Sequence, residues 1–308
     1  MKLPDSPMSV MLKAGSMLKT VLMLKTVLPL SLSAAVAVLA RTWQLSQNEF
    51  ARQYYAAGVR SMLDSWHNFL FNAFDPAGFI SIDKPPVAIW LQVASAKLLG
   101  FGALSILLAQ AMAGLVAVLI VYALVRKYWG KLAGATAALS LALSPVNVAV
   151  DRSNNTESCV ILVLLAAAWL GMRAAETGRL MTFCAAMTAI GIGFNVKMGA
   201  ALVLAPVLAL TFSLARPGTP LSWHIATWHL GRQAIAGIVL VAVSLSWAIF
   251  FDLTPARDRP YAGSTKHNSM LELALVHNGA ARFLAMSTPA GNPAISPPVA
   301  GETGPAPK

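Results

Sequence analysis

Four polar stretches in an otherwise apolar chain hold residue types that could do chemistry. The densest is Phe74-Asp-Pro-Ala-Gly-Phe-Ile-Ser-Ile-Asp-Lys-Pro-Pro86, where an acid and a base, Asp83 and Lys84, precede two prolines. Proline fixes φ and suits the first turn of a helix. The run from Val87 to Leu99 has no breaker, so the spacing predicts a helix beginning just after Pro86. A cation beside the free N–H groups of a helix N-terminus can cradle a phosphate. The same two residues also read as a helix cap and a solvated charge. The other stretches are Asp151-Arg-Ser-Asn-Asn-Thr-Glu157, a polar turn between apolar runs, then Asn195-Val-Lys197, and Asp252 to Tyr261. Ionisable groups at or inside a membrane are costly and so are functional candidates by default. Against that stand a solvated loop for 151–157, a snorkelling Lys197, and a plain connection for 252–261.

The elements that must position these residues follow from composition. The chain has 308 residues, of which 57% are hydrophobic and only 11% charged. Soluble domains carry about a quarter charged residues, so an all-α integral membrane protein is expected. A net charge of +11 fits cytoplasmic loops facing anionic lipid. No Lys/Arg cluster interleaved with aromatics points to nucleic acid. Cys159 and Cys184 lie in apolar runs and suggest no disulfide framework.

About seven transmembrane helices are expected, at roughly 22–40, 104–125, 132–150, 159–172, 180–194, 200–214 and 234–251. Residues 1–21 form a cytoplasmic N-terminal segment in this reading. Met17-Leu-Lys-Thr-Val-Leu22 is repeated at once as Met23 to Leu28, as in a small duplication or an early start codon. Lys13, Lys19 and Lys25 before an apolar run also fit a signal peptide. An uncleaved first span is the reading adopted. Residues 41–103 hold no run long enough to cross and are expected as a periplasmic platform of juxtamembrane helices, one of them around Tyr54 to Leu63. A six-span core at 104–251, a periplasmic segment at 252–288 and a disordered Pro/Gly/Ala-rich tail at 289–308 complete the organisation.

The positive-inside rule supports this arrangement. It places Arg126, Lys127, Lys131, Arg173, Arg179, Arg216 and Arg232 in cytoplasmic turns. The platform's cations are nearly balanced by Glu49, Asp64, Asp75 and Asp83. The same topology gathers Asp83, Lys84, the turn 151–157, Lys197 and Asp252 on one non-cytoplasmic side. That convergence is the strongest sequence-internal argument for a site.

Asp83-Lys-Pro-Pro86 with Trp90, Leu91 and Gln92, set after a first span and a long platform, resembles the GT-C membrane glycosyltransferases. More narrowly, it is similar to bacterial relatives of the aminoarabinose lipid A transferases and protein O-mannosyltransferases. Ser65-Trp-His-Asn68, Phe74 to Phe79, Asp151-Arg152 with Asn154 to Glu157, Gly193 to Met198, Asp252 to Pro255 and Arg259 to Tyr261 extend the likeness over about 45–285.

The resemblance implies a sugar donor carried on a polyprenyl phosphate, used on the periplasmic face of the bacterial inner membrane. The acceptor would be a lipid, a glycan or a protein, and membrane lipids are the surrounding partners. The reaction implied is a single displacement at the anomeric carbon with inversion. A carboxylate would deprotonate the acceptor hydroxyl, and cations would stabilise the departing phosphate. Motif match assigns the donor phosphate to Lys84, with Arg152 and Lys197 as second choices, and substrate contacts to Asn155, Glu157 and Trp90. The family pattern also implies an acid just before the Tyr-containing helix. The nearest is Glu49, with Ala51 and Arg52 breaking the spacing, so Glu49 or, failing it, Asp83 is the expected base.

No metal site stands out, and a divalent metal requirement stays open. His224 and His229 fall in an expected cytoplasmic loop without a carboxylate, and His67, His267 and His277 are scattered. Family members usually continue with further spans and an outer domain. A truncated copy, inactive or dependent on a partner, is therefore the alternative expectation. A transporter is a third, for which paired inverted repeats would speak; none is visible in the sequence.

Overall fold

The computed structural model describes residues 29–215 and 223–280. The expectations for 1–21, for the start of the first span and for the tail lie outside the described residues, as do the side chains of His224 and His229. The described part is helical, with only two isolated bridges, Ala73–Ser81 and Ile80–Tyr261. Helix is the natural outcome for such apolar sequence, because lipid leaves no partner for an unpaired backbone group.

The helices are α1 (Pro29–Thr42), α2 (Gln53–Asp64), α3 (Trp66–Leu70), α4 (Val87–Leu99), α5 (Ala103–Leu143), α6 (Pro145–Asp151), α7 (Glu157–Thr177), α8 (Leu180–Lys197), α9 (Leu204–Leu214), α10 (Trp223–Leu253) and α11 (Met270–Glu272). Four segments are long and apolar enough to cross a membrane: Ala103–Leu143, Glu157–Thr177, Leu180–Leu214 and Leu230–Leu253.

Two of these four reverse within themselves. In α5 the chain turns at Gly130, whose φ of 84° and ψ of 175° suit only glycine. Beyond it, Ala135, Ala138 and Ala142 pack back onto Val118 and Tyr122 and against Ala37 of α1. The segment Leu180–Leu214 turns at Met198 (φ 49°) and the 3-10 stretch Met198–Val203. Phe183, early in α8, stacks on Phe212, late in α9, with ring centroids 4.3 Å apart. In a straight helix those residues would be roughly 40 Å apart. The reversals yield seven apolar helical segments in the expected order. However, α9 has 11 residues, and the second arm of α5 and the described part of α1 are also short of the roughly 20 a straight crossing takes. By length and composition, four segments among the described residues qualify as crossings.

Small residues set the close packing of the bundle. A Cβ on Gly191 of α8 would lie 2.7 Å from Val243 Cβ of α10. Ala167 and Ala174 of α7, Ala186 and Ile190 of α8, Leu208 of α9 and Ala236 of α10 share one buried cluster.

The segment 41–103 holds the short helices α2, α3 and α4. Tyr55, Val59 and Met62 of α2 meet Ile82 and, from α4, Ile89 and Val93. Pro86 caps α4, and Gly100 (φ 86°) ends it. Its 13 residues bury Ile89, Gln92 and Val93 and leave Leu91, Leu98 and Leu99 outward. An apolar outer stripe on a helix too short to cross fits an interfacial position.

The fourth polar stretch is more than a connection. Asp252 at the end of α10 accepts hydrogen bonds from Ser269 Oγ (2.6 Å), Met270 N–H (2.8 Å) and Leu271 N–H (3.0 Å). Arg259 donates to Asn268 Oδ1 at 3.1 Å and lies over the Phe251 ring. The strap so formed returns to the platform, where Tyr261 N–H donates to Phe79 O (2.7 Å) and Ser81 N–H to Tyr261 O (2.9 Å).

Candidate functional site

The first candidate pair sits where the turn after Ser81 enters α4. Lys84 Nζ lies 2.7 Å from Asp83 Oδ2, and both side chains are partly buried. The local chain is fixed by Asn72 Nδ2, which donates to Lys84 O at 2.8 Å, and by Asp83 N–H, which donates to Tyr54 Oη at 3.3 Å. The other carboxylate oxygen, Asp83 Oδ1, is shielded and has no hydrogen-bond partner among the described residues.

A second pair bridges two bundle helices. Glu157 opens α7 and Lys197 closes α8, and Glu157 Oε1 is 2.6 Å from Lys197 Nζ. An acid at a helix start and a base at a helix end each complement the helix dipole, so the backbone favours this pair as well as its own attraction. Glu157 Oε2 is likewise shielded and unpartnered among the described residues.

Tyr55 and Arg52 link the two pairs. Burial first, and then the charge of Asp83, push the Tyr55 hydroxyl up to about 12; Arg52 opposes this and Glu157 adds to it. The Tyr54 hydroxyl is also raised, by burial and then by Asp83. Arg52, Gln53, Tyr54, Tyr55, Asp83 and Ser264 line a cavity of about 580 Å³. Arg52 also lines a neighbouring cavity of about 460 Å³ with Ala51, Ser153 and Asn155.

The sequence reading gives no site role to Arg52, to Tyr55 or to the residue that holds Arg52 in place. Asn154 is fully buried. Its side chain accepts from Arg52 N–H and donates to Arg52 O, both at 2.9 Å, while its own carbonyl accepts from Gln92 Nε2 at 3.0 Å. One residue thus ties the 151–157 turn to the start of α2 and to α4. Asn154→Ala is expected to lower stability by roughly 2 kcal/mol through the lost and stranded hydrogen bonds. Thermal unfolding in detergent checks this, and an unchanged midpoint would show the tie to be slack.

Other expected site residues point elsewhere. Arg152 donates to Trp43 O (2.7 Å) and Ala40 O (3.2 Å), serving the C-terminal carbonyls of α1. Glu49 is exposed, at a left-handed φ of 46°, and lines neither cavity. Asp151 turns inward to a buried Arg41, with Arg41 Nε 2.8 Å from Asp151 Oδ2. Trp90 stacks on Phe69, donates from Nε1 to Phe69 O at 2.7 Å, and lines a third opening. That cavity, about 390 Å³, is walled mainly by Leu70, Pro86, Val87, Ile192, Trp247 and Phe250. No group of three or more His, Cys, Asp or Glu that could hold a metal occurs among the described residues.

The site can bind an anion and accept a proton. Lys84, Arg52 and Lys197 supply positive charge, and Asp83 and Glu157 each offer an oxygen without a partner. The segment from Asp83 to Val87 contributes to two openings, a polar one lined by Asp83 and an apolar one lined by Pro86 and Val87.

Comparison with known proteins bears on this geometry. A family model described as "Dolichyl-phosphate-mannose-protein mannosyltransferase" matches residues 83–247, more than half of the chain. The match begins at Asp83 and takes in Lys84, Trp90, Asn155, Glu157 and Lys197. Two relatives from Bacillus subtilis (strain 168) are similar over most of the chain. "Putative mannosyltransferase YycA" is 37% identical over 259 residues, which is 84% of this chain and 37% of that protein. "Putative mannosyltransferase YkcB" is 37% identical over 262 residues, 85% of this chain and 36% of that protein. The chain therefore spans little more than a third of the length of the curated relatives it matches. No solved structure matches it.

Proposed function

Because this chain belongs to the dolichyl-phosphate-mannose-protein mannosyltransferase family, we propose that it transfers a sugar, mannose first, from a polyprenyl-phosphate donor to an acceptor hydroxyl. The reaction runs on the non-cytoplasmic face of the membrane and inverts the anomeric carbon. One observation carries the reading: within the Asp83–Val87 segment, Asp83 lines a charged cavity while Pro86 and Val87 line an apolar one. An amphiphilic donor fits that division, with its phosphate and sugar by Lys84 and its prenyl chain along Trp90, Trp247 and Phe250. Such a donor also explains why a transferase is built from membrane helices, since its leaving group stays in the bilayer.

The chemistry follows from the charges. The donor phosphate takes over the Lys84 ammonium from Asp83, with Arg52 and Lys197 adding positive charge. The freed Asp83 carboxylate removes the acceptor's hydroxyl proton as that oxygen bonds to the anomeric carbon. The carbon–oxygen bond to phosphate breaks on the opposite face, and its electron pair leaves with the polyprenyl phosphate. Cations aimed at the developing phosphate charge act most strongly where water is excluded.

The test is transfer in membranes containing this chain, from labelled mannosyl polyprenyl phosphate and, in parallel, from the nucleotide-activated sugar. Label is expected to move only from the lipid-linked donor, giving a product of inverted configuration. Transfer from the nucleotide sugar, or retained configuration, would overturn the reading.

A further inference from the structure

We propose that the end of the bundle remote from Lys84 holds the phosphate headgroup of an anionic phospholipid. Its cavity of about 610 Å³ is larger than any of the three around the candidate site. It lies between α1, the first arm of α5 and α7. From Glu157 to Arg173, α7 rises by about 24 Å, so this cavity and the transfer site occupy opposite ends of the same helix.

The lining divides as a lipid headgroup requires. Leu30, Leu119 and Trp169 form apolar walls, while Tyr122, Arg126 and Arg173 bring polar and charged groups. Lys127 and Tyr128 are both engaged by Glu176. Arg126 and Arg173 have no carboxylate within 4.0 Å among the described residues; Glu176, already paired with Lys127, is the acid whose charge Arg173 feels, and the charged residues lining the cavity are all cations. The Arg126 guanidinium sits 5.8 Å from the centroid of the Tyr122 ring. Tyr122 itself is 2% exposed, and its hydroxyl has no hydrogen-bond partner among the described residues. A buried donor without a partner among the described residues, in a cavity also lined by two guanidinium groups, suits a phosphate oxygen. Soluble phosphate shares that chemistry, but the apolar walls and the half-exposed Trp169 belong to the depth of lipid headgroups. The inference is independent of the transfer reading.

The test measures lipid retained by the full chain, purified from nanodiscs of phosphatidylcholine with added phosphatidylglycerol and counted by native mass spectrometry. Phosphatidylglycerol is expected to be preferred about 30-fold, roughly fivefold for each of the two cations. Arg126→Gln with Arg173→Gln should bring the preference to within about twofold, and Tyr122→Phe should weaken it by a smaller factor. Thermal unfolding confirms that each variant is folded; should the double variant fail to fold, Tyr122→Phe and single Arg173→Gln carry the test. Equal retention of both lipids, or an undiminished preference in the folded variants, would overturn the proposal. So would displacement of the lipid by glycerol phosphate at equal concentration, which would make this a site for soluble phosphate.

Discussion

Lys84→Ala is expected to lower sugar transfer by at least about 100-fold while the protein still inserts and folds. In the chain Lys84 stands between Asp83, which lines the charged cavity, and Pro86 and Val87, which line the apolar one, and its only carboxylate partner among the described residues is Asp83. Removing it strands a carboxylate, but the Asp83 side chain keeps 30% of its surface in solvent, so the structural penalty is bounded. The loss should appear mainly in kcat, because the interaction strengthens as the phosphate departs. Asp83→Asn tests the base in the same assay and should be comparably damaging, since the amide keeps the shape and cannot take the proton. Glu49→Gln should stay near wild type, because Glu49 faces solvent and lines neither cavity. Were Glu49→Gln inactive and Asp83→Asn active, the two acids would exchange roles. Full activity in Lys84→Ala, with the protein confirmed in the membrane, would remove Lys84 from the site altogether.

Separating Arg41 from Asp151 is expected to cost about 3–5 kcal/mol of stability. Arg41 and Asp151 are 1% and 3% exposed. The Arg41 guanidinium also donates to Ala142 O at 3.2 Å and Ala37 O at 3.4 Å. Asp151→Leu alone leaves a buried guanidinium without its counter-charge, and Arg41→Met alone leaves a buried carboxylate. The two together remove both charges and should recover most of the loss. The comparison is read from thermal unfolding of the three variants in one detergent. Single variants as stable as wild type would show that the pair is solvated. Transfer by the double variant should be close to wild type, which separates this pair from Lys84. Gly114 adds a local check on packing: a Cβ there would lie 2.2 Å from Asp151 Cγ, so the carboxylate fills the space beside that glycine.

The platform and α4 were legible because their signals are local. Pro85-Pro86 ahead of an unbroken apolar run announces a helix start, and α4 begins at Val87. Both reversals were legible too, since polar or small residues interrupt the apolar runs near Gly130 and Lys197. The polar turn 151–157 was not. Its residues share one short loop in sequence, yet each faces a different neighbour: Asp151 faces Arg41, Arg152 the end of α1, Asn154 the backbone of Arg52, and Glu157 Lys197. Those partners are 110, 109, 102 and 40 residues away. No sequence window contains both halves of any such contact. The choice between the two acids was hidden for a related reason: spacing to the Tyr-containing helix ranks Glu49 first, while only the folded turn shows that Asp83 lines the cavity.

The strap after α10 sets the order in which this site can be assembled during synthesis. Ser264 forms part of the wall beside Asp83, and Gly263 N–H donates to Ser81 Oγ at 3.1 Å, a bond between residues 182 positions apart. Asp83 and Lys84 emerge from the ribosome long before that wall exists. A nascent chain therefore carries the Asp83–Lys84 pair through most of membrane insertion with the charged cavity open on one side. Closure waits until α10 is in place and Asp252 has captured the turn at Ser269. The site's completion thereby reports that the bundle behind it has already been inserted.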